Sequence, residues 1–233
     1  MIVALNNKSN LNKEEFISYQ EDLSKINCKS TLILCPTQLN IANFNLTNCQ
    51  LGSQNVSKDL IGAHTGEVAA SQLKSYNVQY CIVGHSERRA DQRETNIEIA
   101  QKIKNLYTEG IKPILCVGET KEERESGKVN TIIEEEITIA TANLTEDEKS
   151  QLIVAYEPIW SIGTGLIPTN DEIAEVFELI NKHLPNTKVL YGGSANEKNI
   201  DELKKCSLIE GYLVGGLSLK PELLKIFLEK LEN

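Results

Sequence analysis

The sequence has few aromatic residues, fewer basic than acidic residues, and no long apolar segment. Phe, Trp and Tyr make up 5% of its 233 residues, so its core must consist mostly of Ile, Leu, Val and Ala. The formal net charge of −9 argues against nucleic acid and anionic membrane surfaces as partners. No apolar run approaches the roughly 18 residues of a spanning helix, and the first residues lack the basic and apolar regions of a signal peptide. We therefore predict a cytoplasmic protein.

Motifs for metal, redox and nucleotide chemistry are absent as well. Neither a P-loop nor a G-x-G-x-x-G pattern occurs, so nucleotide binding is not expected. The six cysteines have spacings that match no zinc or redox motif and are expected to be buried, reduced thiols: Cys28, Cys35, Cys49, Cys81, Cys116 and Cys206. We predict that the protein uses no metal and no cofactor.

What the sequence has instead is a regular alternation of short apolar segments with longer amphipathic ones. The short segments lack strict alternation of polar and apolar residues, which is typical of parallel strands covered by helices. Eight of them predict strands, over Ile2–Leu5, Thr31–Cys35, Gln50–Gln54, Gln79–Val83, Pro113–Val117, Leu152–Tyr156, Lys188–Tyr191 and Tyr212–Val214.

The segments between the predicted strands have helical periodicity. Ile173 and Phe177, for example, belong to one apolar helical face, and Thr169–Glu172 supplies cap residues and early acids for that helix. Gly127 is expected to divide the long acidic stretch Glu119–Ala142 into two helices. Eight strand–helix units without a linker predict a single (β/α)8 barrel domain over the whole chain, residues 1–233. A doubly wound open sheet is the alternative.

In such barrels the active site forms at the carboxyl ends of the strands. Glu157 directly follows the sixth strand, where a carboxylate facing a closable pocket suits a general base. His85 follows the fourth strand, just before a predicted helix start at Ser86 and Glu87, a position that favours a neutral imidazole able to donate to an enolate oxygen. A surface glutamate and a structural histidine are the alternative interpretations.

Glycines at other strand ends indicate an anion site. Gly192–Ser194 and Gly215–Gly216 follow the seventh and eighth strands, where barrels of this kind often bind phosphate. The segment Pro158–Gly165 predicts a mobile lid, because its central apolar residues need a surface on which to close. A static loop packed on a helix is the alternative.

Taken together, these motifs resemble those of the triosephosphate isomerases over nearly the full length of the chain. The matching segments are Val83–Arg89, Cys116–Glu119, Ala155–Trp160, Gly163–Gly165, Tyr191–Ser194, Leu213–Gly216 and Ser218–Pro221, together with Asn6 and Lys8.

The resemblance implies interconversion of dihydroxyacetone phosphate and glyceraldehyde 3-phosphate through an enediolate, in glycolysis and gluconeogenesis. It implies Glu157 as the carbon base and His85 as the neutral electrophile, a pair for which these isomerases are themselves the standard example. It also implies that Lys8, beside Asn6, stabilises the negative charge of the substrate and that Glu87 lies near this lysine. The implied phosphate-binding residues are Gly163, Ser194, Gly215 and Gly216.

The chain departs from this family at two places. The lysine is flanked by Asn7 and Ser9 rather than by Trp and Met, so looser packing of its loop is expected. Pro168 stands where the family has a backbone N–H that donates to the hydroxyl of the tyrosine matching Tyr191 on lid closure, and proline has no N–H. The resemblance also implies a homodimer in which the loop around Thr65 inserts into the neighbouring subunit.

Two other functions compete with an active isomerase. One is a barrel retained as a binding or scaffold protein. The presence of all four candidate catalytic residues argues against it: Glu157, His85, Lys8 and Asn6. The other is a barrel aldolase or another phosphosugar enzyme. A Schiff-base aldolase needs a lysine on a barrel strand, and among the predicted strands only that containing Lys188 offers one.

Overall fold

The computed structural model describes residues 1–233, which form a closed barrel of eight parallel strands in the order of the sequence. The strands are β1 Ile2–Asn6, β2 Thr31–Cys35, β3 Gln50–Ser53, β4 Tyr80–Val83, β5 Lys112–Val117, β6 Ile153–Tyr156, β7 Lys188–Tyr191 and β8 Gly211–Val214. All eight predicted strands are present, with ends that differ by at most one residue. The predicted barrel is confirmed.

Pairing between β1 and β8 closes the sheet and excludes the open doubly wound alternative. Ile2 pairs with Gly211, and the register continues to Leu5 and Val214. A Cβ at position 211 would lie 2.2 Å from the Ile2 carbonyl oxygen, so only glycine fits at this point of closure.

Ten α-helices surround the barrel and connect its strands. They are α1 Lys13–Leu23, α2 Ala70–Ser75, α3 Ser86–Gln92, α4 Asn96–Thr108, α5 Lys121–Glu125, α6 Val129–Ala140, α7 Glu146–Gln151, α8 Asn170–His183, α9 Ile200–Leu203 and α10 Pro221–Glu232. Short 3₁₀ turns occur at Gln38–Asn43, Ile159–Ser161 and Gly216–Leu219.

Local sequence signals explain where the helices begin and end. Thr169 caps α8 through a capping box with Glu172, as predicted. Gly127 adopts a positive φ of 70° between α5 and α6, which only glycine adopts without strain, and it divides the acidic stretch as expected. The apolar face of α8 that contains Ile173 and Phe177 is fully buried against the sheet.

The interior has two layers, one between the sheet and the helices and one inside the barrel. The inner layer consists of small and branched side chains, among them Ala4, Ile82, Ile114 and Ala155. All six cysteines are free, and all but Cys28 are buried. No helix has the length and apolar character needed to cross a membrane.

One detail of the strand prediction was wrong. β5 begins at Lys112, so Lys188 is not the only lysine on a strand. Both lysines are the first residues of their strands and both are exposed, at the end of the barrel opposite the carboxyl ends.

Candidate active site

The carboxyl ends of the strands form one cleft with a volume of about 300 Å³. Because consecutive parallel strands end at the same rim, residues far apart in the sequence meet there. The cleft is lined by the predicted residues Asn6, Lys8, His85, Glu157, Gly163, Ser194, Gly215 and Gly216, and also by Ile162, Gly165, Gly192, Gly193, Ala195, Asn196, Leu213 and Leu217.

The carboxylate of Glu157 is 2% exposed and has a partner at each oxygen. One oxygen lies 3.1 Å from His85 Nε2, and the other accepts the Ser86 backbone N–H at 3.0 Å. Burial raises the pKa of this carboxyl, but the interactions with His85 and Ser86 outweigh burial and hold the pKa below its usual value. Glu157 is therefore ionised at neutral pH, as a general base must be.

Two glycines make room for Glu157. A Cβ at Gly118 would lie 1.8 Å from the Glu157 carbonyl oxygen, and a Cβ at Gly192 would lie 2.9 Å from the Glu157 Cγ. The backbone N–H of Glu157 also donates to the Val117 carbonyl at 2.7 Å, which extends the pairing of β5 and β6 beyond the strand end. The glycines thus set the position from which the carboxylate reaches His85.

His85 is the N-cap residue of α3, and its ring is oriented by the start of that helix. Its Nδ1 accepts the backbone N–H of Glu87 at 3.2 Å, so the proton of the neutral ring must be on Nε2, which faces Glu157. Burial lowers the pKa of His85 and the Glu157 carboxylate raises it, with a net rise in this arrangement. A proton on Nδ1 would point at the Glu87 N–H and break that hydrogen bond. The neutral ring with its proton on Nε2 keeps the hydrogen bonds to both Glu87 and Glu157.

Lys8 is held in a left-handed backbone conformation, with φ at 51°. Its N–H donates to Asn6 Oδ1 at 3.0 Å and its carbonyl accepts from Gln54 Nε2 at 2.8 Å. Its ammonium forms an ion pair with Glu87, which lies where the resemblance implies. Of the two residues beside Lys8 that depart from the family, Asn7 is buried and Ser9 is exposed. The loop around Lys8 is therefore fixed largely by hydrogen bonds.

The glycines of the predicted phosphate site leave open space on the cleft side. A side chain at Gly163 or Gly216 would contact nothing within 4 Å, so a ligand can approach their backbone closely. Gly215 lies against Lys8, because a Cβ there would be 3.1 Å from Lys8 Cε. The lysine and the glycine loop after β8 therefore form one cationic, donor-rich wall of the cleft.

The start of the lid is anchored by residues that the sequence analysis did not identify as functional. Glu119 is fully buried and accepts from Trp160 Nε1 at 2.9 Å, Tyr156 Oη at 3.1 Å and Arg124 Nε at 2.8 Å. The guanidinium of Arg124 also lies over the Trp160 ring, 5.4 Å from its centroid. The available signal was an acidic residue two positions after the end of β5.

The sequence analysis also missed Ser161, which lies inside the predicted lid. Its hydroxyl lies 3.3 Å from the Tyr191 hydroxyl, and its carbonyl accepts from Ser194 Oγ at 2.6 Å. Tyr191 therefore has a lid partner other than the N–H that Pro168 lacks. Ser194, the implied phosphate-binding residue, is thus also bonded to the lid.

The remaining titratable residues do not add a second centre to the cleft. His64 lies 3.6 Å from Asp59 on the surface, and His183 at the end of α8 contacts Glu134 at 3.1 Å. No group of three or more His, Cys, Asp or Glu side chains is arranged to hold a metal ion.

Comparison with known proteins gives a consistent result. The family described as triosephosphate isomerase matches residues 1–230. The triosephosphate isomerase of Dictyoglomus turgidum is 39% identical over 222 residues, which is 90% of this chain and 89% of the relative. That of Emericella nidulans is 37% identical over 95% of this chain and 94% of the relative, and that of Mesomycoplasma hyorhinis is 40% identical over 92% and 90%. The chain therefore belongs to the triosephosphate isomerase family and is an isomerase.

Proposed function

We propose that Glu157, His85, Lys8 and Asn6 carry out the isomerisation of dihydroxyacetone phosphate and D-glyceraldehyde 3-phosphate, the reaction of this family in glycolysis and gluconeogenesis. The barrel over residues 1–233 acts as one catalytic domain. Its free cysteines are consistent with a cytoplasmic location.

In the proposed mechanism Glu157 removes a proton from the substrate carbon next to the carbonyl group. The electron pair moves to the carbonyl oxygen, where His85 Nε2–H donates a hydrogen bond to the developing enediolate. The Lys8 ammonium stabilises the same negative charge, and Asn6 positions this lysine by accepting its backbone N–H. The proton of the neighbouring hydroxyl group passes to the former carbonyl oxygen, and the oxygen that loses it becomes the new carbonyl oxygen. Glu157 returns its proton to the former carbonyl carbon, so the atoms balance without a cofactor.

The observation that carries this proposal is the placement of Glu157. Its buried, ionised carboxylate faces the cleft, which also contains the imidazole of His85, with Nε2 toward Glu157, and the lysine Lys8. Since His85 Nε2 now faces Glu157, an entering substrate oxygen must take this donor and leave the carboxylate free to act on the carbon. A coupled assay with purified chain and dihydroxyacetone phosphate tests the reaction.

The same assay separates the competing functions. A scaffold protein would give no turnover. An aldolase would be trapped covalently by borohydride with its substrate, but the strand lysines Lys112 and Lys188 are exposed at the opposite end of the barrel from the cleft. We expect turnover without a borohydride-stable adduct.

Gly163, Ser194, Gly215 and Gly216 are the proposed phosphate-binding residues. Tyr191→Phe should lower turnover only slightly, because Pro168 cannot donate to its hydroxyl and the contact with the Ser161 hydroxyl, at 3.3 Å, is a single long hydrogen bond. Ser194→Ala should lower turnover more, since it removes a hydroxyl at the phosphate site that donates to the Ser161 carbonyl at 2.6 Å. Loss of one neutral hydrogen bond is expected to cost about tenfold at most. Steady-state assays of both variants, with folding checked by circular dichroism, test this order. A larger effect of Tyr191→Phe would show that its hydroxyl has an important partner in the closed lid.

The proposed assembly is a homodimer formed through the loop around Thr65. This loop protrudes, with Leu60 68% and Ile61 75% exposed, and such apolar exposure is typical of an interaction site. Next to the active site a recess of about 620 Å³ is lined entirely by polar residues, including Asn10, Thr37, Gln38, Gln54 and Asp91. Its size and hydrogen-bonding groups suit the insertion of the partner subunit's Thr65.

The dimer can be tested by placing a charge on this loop. We expect the parent to sediment as a dimer at micromolar concentration and Ile61→Asp to sediment as a monomer, because a buried unpaired carboxylate opposes association. Ile97→Asp is the matched control, since Ile97 is 74% exposed on α4, and it should remain dimeric. Fully active parent that is only monomeric would contradict the proposal.

A further inference from the structure

Ser161 is placed between the lid and the loop that follows β7. It is 0% exposed, although its neighbours Trp160 and Ile162 are partly exposed and the following residues 163–165 are exposed. Its hydroxyl oxygen accepts the Ser194 backbone N–H at 3.2 Å and contacts the Tyr191 hydroxyl at 3.3 Å. A single lid side chain therefore contacts both Tyr191 and Ser194.

Gly193 makes this arrangement possible. A Cβ at that position would lie 2.3 Å from the Tyr191 hydroxyl oxygen and 2.7 Å from Ser161 Oγ. Any other residue would displace one of the two hydroxyls. The backbone between Tyr191 and Ser194 is thus shaped around the Ser161 side chain.

The Ser194 N–H also has a second expected role. Under the proposed function, on which this inference rests, Ser194 and the glycine loops hold the substrate phosphate, and backbone N–H groups are the natural donors to phosphate oxygens. One N–H cannot donate at full strength to two acceptors. The phosphate and the Ser161 hydroxyl must therefore compete for the same donor.

We propose that Ser161 is a positioning residue that occupies the Ser194 N–H while the lid is in its present position and yields it to the substrate phosphate. Phosphate binding then breaks a contact that holds the lid, so binding and lid movement are coupled. Phosphate binds fully only to those molecules in which Ser161 has released the Ser194 N–H, so the apparent affinity for phosphate falls as the occupied fraction rises.

Ser161→Ala tests the proposal because it removes the competing acceptor and keeps the backbone carbonyl that bonds to Ser194 Oγ. Titration with inorganic phosphate can be followed by the fluorescence of Trp160, the one tryptophan of the chain and the neighbour of Ser161. We expect the Kd for phosphate to fall about twofold to tenfold, the range for one neutral hydrogen bond. The KM for dihydroxyacetone phosphate should fall in parallel while kcat does not rise.

The controls separate this effect from general loosening of the lid. Thr164→Val removes another lid hydroxyl, one that contacts the Ser161 carbonyl but not Ser194, and it should not tighten phosphate binding. Ser161→Cys retains a similar volume with a weaker acceptor, so it should tighten binding in the same direction by less. It also keeps the test decisive if the alanine variant does not fold.

Unchanged or weaker phosphate binding in both Ser161 variants would overturn the inference, and so would equal tightening by Thr164→Val. The titration does not depend on turnover. A parent chain without isomerase activity would instead refute the proposed function. An active parent with an unaffected Ser161 variant would refute only the role of Ser161.

Discussion

Replacing Glu157 by Asp is expected to lower turnover about 100-fold, because withdrawing a catalytic group by about 1 Å can have an effect of this size. The substitution keeps the negative charge and shortens the side chain by one methylene group. Substrate binding should change little, since the phosphate and Lys8 contacts remain. Steady-state measurement of kcat and KM with dihydroxyacetone phosphate tests the prediction.

Glu178→Asp provides the matched control, because it makes the same substitution on the exposed face of α8. It should retain the activity of the parent. The two variants should have similar circular dichroism spectra, which would separate loss of chemistry from loss of fold. If Glu157→Asp were as active as the control, Glu157 could not be the base.

His85→Asn should lower kcat by roughly 100-fold to 1,000-fold, the usual effect of removing one donor to a developing oxyanion. Asparagine places its Oδ1 near the position of Nδ1, where it can accept the Glu87 N–H and cap α3. It has no atom at the position of Nε2, so the donor to the enediolate is lost. Stability should therefore change much less than activity.

His85→Gln complements this variant. Glutamine can extend an amide N–H toward the position of Nε2 but is a poorer N-cap residue, so it should retain more activity and lose more thermal stability than His85→Asn. Activity assays and thermal unfolding of both variants measure the two effects separately. Activity of His85→Asn within a few fold of the parent would contradict the electrophilic role of His85.

The sequence predicts the barrel well because its signals are local. Each strand is a short apolar segment, and the capping box of Thr169 and Glu172 marks a helix start that does not depend on distant residues. The positions of Glu157 and His85 follow from the rule that parallel strands end at one rim. Their chemical environment is also partly local, since His85 is oriented by the N–H of Glu87, two residues away.

Contacts between residues far apart in the sequence were harder to predict. Glu119 meets Tyr156 and Trp160 only after β5 and β6 have paired, and a lone acid after a strand does not identify such partners. Ser161 is a small polar residue in an irregular segment with no periodicity to indicate its burial. Its role depends on the Tyr191 and Ser194 contacts, which tertiary structure creates.

The departures from the family have a physical explanation in the same contacts. Pro168 removes a donor for Tyr191, and the Ser161 hydroxyl supplies another partner for that tyrosine. Asn7, in place of a larger apolar residue beside Lys8, is buried and donates to Ser218 Oγ at 3.1 Å. In both places a side-chain hydroxyl of this chain forms the contact.

The most direct test of the central claim is to run the isomerisation in deuterium oxide with purified chain. A proton taken from carbon by the Glu157 carboxylate can exchange with solvent before it is returned. We predict that nuclear magnetic resonance will detect deuterium at C2 of part of the glyceraldehyde 3-phosphate formed, and that Glu157→Asp will slow its formation. Rapid turnover with no deuterium in the product would indicate direct hydrogen transfer between the carbons and would contradict catalysis by a carboxylate base.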